Sequence, residues 1–108
     1  MITTHVLDTS QGTPAVGIGV VLEMNRGADW VVLGRADTDA NGRVVAFTTA
    51  PIAAGTYRLT FDTARYHRAS GITPFFPQVT VTFDVASGVH YHVPLLLSPY
   101  GYSTYRGS

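Results

Sequence analysis

From Thr56 to Phe61 (TYRLTF) and from Gln78 to Val85 (QVTVTFDV), apolar and polar residues alternate one by one between turn-forming stretches. Successive side chains of an extended chain point to opposite faces, so a period of two marks a strand with one buried side. Tyr57, Leu59 and Phe61 make one such face, and Val79, Val81, Phe83 and Val85 another. Sheets of this kind bury their apolar side against a second sheet. Residues 2–8 (ITTHVLD) are rich in β-branched types and predict a first strand, with His5 and Leu7 on one face. Turn chemistry over Thr9–Pro14 separates it from a second strand, Ala15–Met24, with Val16, Ile18, Val20 and Leu22 on one side.

Trp30–Ala36 predicts a third strand and Arg43–Phe47 a short one. Between them Asp37–Gly42 ends in Asn-Gly, a strong hairpin signal. Asp62 or Thr63 suits the start of a helix and Gly71 its end. One helix of about two turns is expected there, with His67 exposed on it. Ile72–Pro77 (ITPFFP) reads as a rigid apolar linker and Ala86–Gly88 as a turn. Seven or eight strands, one short helix and turns at this spacing predict an all-β sandwich. A chain of 108 residues holds one core and not two, so a single domain over residues 1–108 is expected.

Several function classes fall away. Seven arginines balance seven acidic residues, and without a basic stripe no nucleic-acid partner is expected. No run reaches the length of a membrane span. No basic-then-apolar leader opens the sequence, which leaves the cytoplasm as the expected location. The lack of cysteine removes disulfides and thiolate metal sites. Gly17 and Gly19 have neither the third glycine nor the helix of a dinucleotide loop, and instead suggest a close backbone approach to a strand. Asp37–Gly42 lacks the closing glutamate of a calcium loop.

The chemistry-bearing residues gather in His90–Ser108 (HYHVPLLLSPYGYSTYRGS). Extended, His90, His92, Pro94 and Leu96 share one face, and Val93, Leu95 and Leu97 the other. Two imidazoles on one sheet face suit the floor of a site. Ser98–Gly101 reads as a tight turn that returns Tyr102–Ser108 as a further strand, with Ser103 and Tyr105 on one side. Pro94 has no N–H for a ladder, so a local gap in hydrogen bonding is expected beside it. Leu95–Leu97 and the strand after them suggest more apolar surface than one sandwich covers, and hence an interface.

The ending Tyr105-Arg106-Gly107-Ser108 resembles the C-terminal signature of the transthyretin-related 5-hydroxyisourate hydrolases. His5 followed by Val-Leu-Asp resembles their first motif, and Gly42-Arg43 falls where they carry an arginine. Transthyretin itself has the same fold without this ending. The resemblance covers essentially the whole chain and implies a transthyretin-like β-sandwich. It also implies metal-independent hydrolysis of 5-hydroxyisourate to 2-oxo-4-hydroxy-4-carboxy-5-ureidoimidazoline, in urate degradation. By resemblance His5, Arg43, His92 and Ser108 are catalytic, while His5, Arg43, Tyr105 and Arg106 bind substrate. His90 falls at the rim, no cofactor is required, and the assembly is a homotetramer of two dimers. The terminal carboxylate of Ser108 is expected to pair with Arg43 or Arg106, or to orient a histidine.

The residues taken alone leave two alternatives. His90-x-His92 with His5 has the composition of a three-histidine zinc site with room for water. A transthyretin-like carrier without catalysis would need an open channel, which Tyr105 narrows where transthyretin has a small residue.

Overall fold

The computed structural model describes residues 1–86 and 88–108; Ser87, in the expected turn at 86–88, lies outside them. In chain order the strands are β1 (Ile2–Asp8), β2 (Thr13–Pro14), β3 (Gly19–Arg26), β4 (Asp29–Asp37), β5 (Arg43–Val44), β6 (Gly55–Phe61), β7 (Val79–Val85), β8 (Tyr91–Ser98) and β9 (Gly101–Thr104). Helix α1 (Thr63–Ala69) stands between β6 and β7. One sheet has the order β2-β1-β8-β9, with β5 also paired to β1, and the other the order β4-β3-β6-β7. The β1–β8 pairing is parallel and every other one antiparallel.

The core is the sum of the alternating faces. Ile2 and Val6 of β1 and Val93, Leu95 and Leu97 of β8 meet Val20, Leu22, Tyr57, Leu59, Phe61, Val79 and Val85 of the other sheet. Each fully buried aliphatic or phenyl side chain contributes about 1.5–3 kcal/mol, enough to fix which face of each strand turns inward. Leu95 and Leu97 are thus wholly buried within one protomer, and the apolar surface expected of them is already covered.

Glycine backbone geometry accounts for several differences from the sequence expectations. The second strand begins only at Gly19, because Gly17 adopts φ +78° and breaks the alternation. Val16 is left exposed while Ile18 is buried. The close backbone approach expected at Gly17 and Gly19 occurs at Gly34, where an added Cβ would overlap the Phe47 carbonyl. The Asn41-Gly42 turn forms no hairpin with β4; it carries the chain across to the other sheet, where β5 pairs with β1. Gly42 has φ +75° and lies so near Val6 that a Cβ would meet the Val6 carbonyl oxygen at 2.5 Å. The expected strand over Arg43–Phe47 is accordingly two residues long.

Helix α1 is capped by Asp62, whose carboxylate accepts from the Arg65 N–H at 3.1 Å. His67, expected to be exposed, is 2% exposed, and neither ring nitrogen has a hydrogen-bond partner. Two turns of helix lie against the sandwich on the face formed by Thr63, Ala64 and His67. That short, mostly polar stretch carries no apolar periodicity to disclose which side is inward. No helix among the described residues is long and apolar enough to cross a membrane.

Candidate active site

In the parallel register of β1 and β8, Thr3 stands beside His92 and His5 beside Pro94. In the antiparallel register of β1 and β5, His5 stands beside Arg43. Side chains of paired residues share a face, so Thr3, His5, Arg43, His92 and Pro94 all lie on the outer face of the first sheet. Neighbouring strands are about 4.8 Å apart, and His5 and His92 form a diagonal pair with Cα atoms about 7–8 Å apart.

Local structure fixes Arg43 before any contact with the site. The Asp39 carboxylate accepts from the backbone N–H groups of Asn41 and Arg43 at 2.9 and 3.0 Å. Those two bonds lead the influences that hold Asp39 below the usual carboxylate range. The Gly42 carbonyl accepts from the Val6 N–H at 2.7 Å, locking the turn to the strand that carries His5. Arg43 itself is exposed.

His92 is half-buried, and its Nδ1 lies 2.8 Å from the Thr3 hydroxyl. The same hydroxyl lies 3.0 Å from His90 Nε2. Burial, then the charge of Arg43, then those of His5 and His90, push the His92 pKa below the ordinary value. The ring is therefore neutral near pH 7 and available as a base. Thr3 is the site residue that sequence reasoning missed. Its signal was its position two before His5, on the same strand face.

The C-terminal segment closes over His92. β9 pairs with β8 as far as Leu95↔Thr104, and one isolated bridge, His92↔Gly107, resumes the same register. The interruption sets Pro94 opposite Tyr105, so the expected gap lies where the missing proline N–H would have paired. The Pro94 carbonyl accepts instead from the Thr104 hydroxyl at 2.6 Å. Beyond the gap the Gly107 N–H donates to the His92 carbonyl at 2.8 Å. Gly107 lies so close to the imidazole that an added Cβ would come within 2.6 Å of His92 Cδ2. The glycine of the ending is required by this contact.

The remaining expected residues divide. His90, bonded to Thr3, is exposed at the rim of the histidine-bearing face, and Tyr105 and Ser108 are also exposed. Arg106 does not join them: its guanidinium stacks on the Tyr91 ring, 4.6 Å from the centroid. Tyr91 belongs to the buried alternation of β8, so within one protomer Arg106 lies on the far side of the sheet from His92. The described ion pairs are Arg58–Glu23 and Arg65–Asp37, so the pairing expected between the Ser108 carboxylate and an arginine is not among them. The mutually facing nitrogens of His90 and His92 are both bonded to Thr3, and among the described residues no group of three metal-ligating side chains converges.

Comparison with known proteins places this geometry. The model of the HIUase/Transthyretin family matches residues 2–107. The 5-hydroxyisourate hydrolase of Salmonella typhimurium is 44% identical over 110 residues, covering 100% of this chain and 81% of the relative. That of Caulobacter vibrioides is 44% identical over 112 residues, covering 99% and 97%. The structure of Klebsiella pneumoniae 5-hydroxyisourate hydrolase superposes with TM-score 0.89 at 39% identity, over 99% of this chain and 98% of that one. Transthyretin from Sparus aurata superposes with TM-score 0.93 at 33% identity, over 98% and 95%.

Proposed function

Because the chain belongs to the HIUase/Transthyretin family, we propose that its outer sheet face hydrolyses 5-hydroxyisourate, adding water to a ring amide carbonyl. The observation that carries this reading is His92, a ring held neutral by burial and neighbouring charge beside His5 and Arg43. A neutral imidazole takes a proton from water as the oxygen attacks. His5, one diagonal step away, shuttles the proton onward. Negative charge then builds on the carbonyl oxygen, and a guanidinium aimed at that oxygen accelerates the step by about a hundredfold to a thousandfold. Arg43 is the cation on this face and takes that role. As that oxyanion collapses the ring C–N bond breaks, and the proton relayed by His5 passes to the leaving nitrogen. Ring opening gives 2-oxo-4-hydroxy-4-carboxy-5-ureidoimidazoline. Tyr105 forms the wall of the site, and Ser108 supplies a hydrogen bond. Arg106, stacked on Tyr91, serves by anchoring the segment that holds Gly107 against His92.

The site face also points to assembly. Arg43, Tyr105 and Ser108 are exposed in the protomer, and substrate held there would remain in water. We place the working form as a homotetramer, two dimers whose histidine-bearing faces meet and exclude solvent. Full activity in a species that sediments as a monomer would refute it. Catalysis through a neutral His92 suits a compartment near neutral pH, and the cytoplasm is the location proposed.

The test is direct. Urate oxidase converts urate to 5-hydroxyisourate, whose ultraviolet absorbance is followed with and without this protein. Accelerated decay, unchanged by EDTA, is expected. Decay at the spontaneous rate would leave a transthyretin-like carrier, and loss with EDTA followed by recovery with zinc would favour a metal site.

A further inference from the structure

We infer that Thr3 is a positioning residue for the hydrolysis: its single hydroxyl proton decides which nitrogen of His92 is basic, and His90 decides where that proton points. The inference rests on the hydrolytic reading above, although its first readout needs no turnover.

Thr3 is 8% exposed, and its Oγ1 lies 3.0 Å from His90 Nε2 and 2.8 Å from His92 Nδ1. A hydroxyl has one proton to donate and lone pairs with which to accept. It cannot donate to both rings, so at least one imidazole presents an N–H to it. If Thr3 donates to His92 Nδ1, the proton of neutral His92 sits on Nε2, which then has no lone pair for water. If His92 donates from Nδ1, its lone pair is on Nε2 and Thr3 is free to donate to His90 Nε2. Only the second arrangement makes Nε2 the base. The imidazolium formed by proton transfer keeps the same Nδ1–H bond, so nothing need reorganise during the step.

A cation on His90 reverses the relay. Its Nε2 then carries a proton aimed at the Thr3 oxygen. The Thr3 proton has no other protein acceptor among the described residues than His92 Nδ1. Turning there, it moves the His92 proton to Nε2 and removes the base without charging that ring. The other charged groups acting on His92 are His5 on β1 and Arg43 on β5, and Gly107 of the C-terminal segment covers the ring. None of them is hydrogen-bonded to Nδ1 among the described residues, so the relay runs through Thr3.

The experiment is imidazole nitrogen NMR on the folded full chain, paired with steady-state kinetics. Neutral wild-type His92 is expected to carry its proton on Nδ1. Thr3→Ser keeps the hydroxyl, the tautomer and kcat. Thr3→Val keeps the shape, releases the tautomer and lowers kcat by about tenfold or more with KM unchanged. His90→Phe removes the acceptor 3.0 Å from the Thr3 hydroxyl and shifts neutral His92 toward the Nε2–H form. A Thr3→Val protein with the wild-type tautomer and kcat would overturn the inference. So would a Thr3→Ser protein as impaired as Thr3→Val, since packing of the methyl group would then be the cause. Absence of turnover in the wild type would sink the hydrolytic reading and leave the tautomer measurement standing.

Discussion

Replacing Gly107 by alanine isolates the contact between the C-terminal segment and the candidate base. The glycine backbone lies outside the positive-φ region, so alanine is permitted there and the perturbation is the added methyl alone. Its carbon would stand 2.6 Å from His92 Cδ2 and 3.3 Å from Cγ. Against an ordinary carbon–carbon separation of about 3.5 Å, the pair must yield by about 0.9 Å. Two responses are open: the ring rotates away from its bond with Thr3, or the segment lifts and breaks the Gly107–His92 bridge. Either displaces a group at the reacting centre by about 1 Å, which costs on the order of a hundredfold in rate. The stability cost is smaller. One backbone hydrogen bond at the sheet margin is worth about 1 kcal/mol, or roughly 4–8 °C in Tm for a domain of this size. Gly107→Ala should therefore lose about two powers of ten in kcat, by the absorbance assay, while melting only a few degrees lower. Near wild-type turnover would refute the argument, and so would a loss of activity that merely tracks unfolding.

Three further outcomes follow from other parts of the molecule. His92→Ala and Arg43→Ala should each lower kcat by about a hundredfold or more, and the acid limb of kcat/KM should lie below the ordinary histidine range because His92 must stay neutral; a limb above that range would contradict the base assignment. His67→Leu should leave kcat unchanged and raise Tm, because it removes two buried nitrogens without partners; a large loss of activity would show that α1 belongs to the site. Tyr66 donates to Asp8 at 2.7 Å, and burial together with that bond pushes its hydroxyl up to about 12. A raised pKa stabilises below the unfolded value near pH 10 and is lost as pH climbs toward 12. Burial pushes Asp8 up, but bonds from Ser10, Tyr66 and Gln11 outweigh it and hold the carboxyl low. Its contribution is present above about pH 4 and disappears as pH falls through the lowered value. Tyr66→Phe should flatten the alkaline fall in Tm and weaken the acid one, and an unchanged profile would count against the pair.

Much of the fold was legible because period-two alternation is a local property with a global consequence. Tyr57-x-Leu59-x-Phe61 and Val93-x-Leu95-x-Leu97 each specify a buried face, and burial energy leaves a strand only one way round. Asp62 and Gly71 marked the ends of α1 for similarly local reasons, a side-chain cap at one and a positive φ at the other. The tetrapeptide ending and the histidine before Val-Leu-Asp are local motifs that mark the family in the sequence itself.

What the sequence could not supply was pairing between distant segments. Thr3 and His92 are 89 residues apart, and only the parallel register of β1 with β8 sets a hydroxyl between two imidazoles. The Asn41-Gly42 turn looked like a hairpin because turn chemistry is local, whereas its exit to the other sheet depends on the space beside Val6. His67 looked exposed because polarity is visible in a sequence and the surface against which a short helix packs is not. Arg106 was expected beside the histidines by its place in the ending, and within one protomer the alternation of a strand margin sets its guanidinium on the Tyr91 ring instead. Local chemistry chose the strands, the caps and the reactive side chains. Which of those side chains meet was decided by strand register, a property of two segments at once that neither one contains.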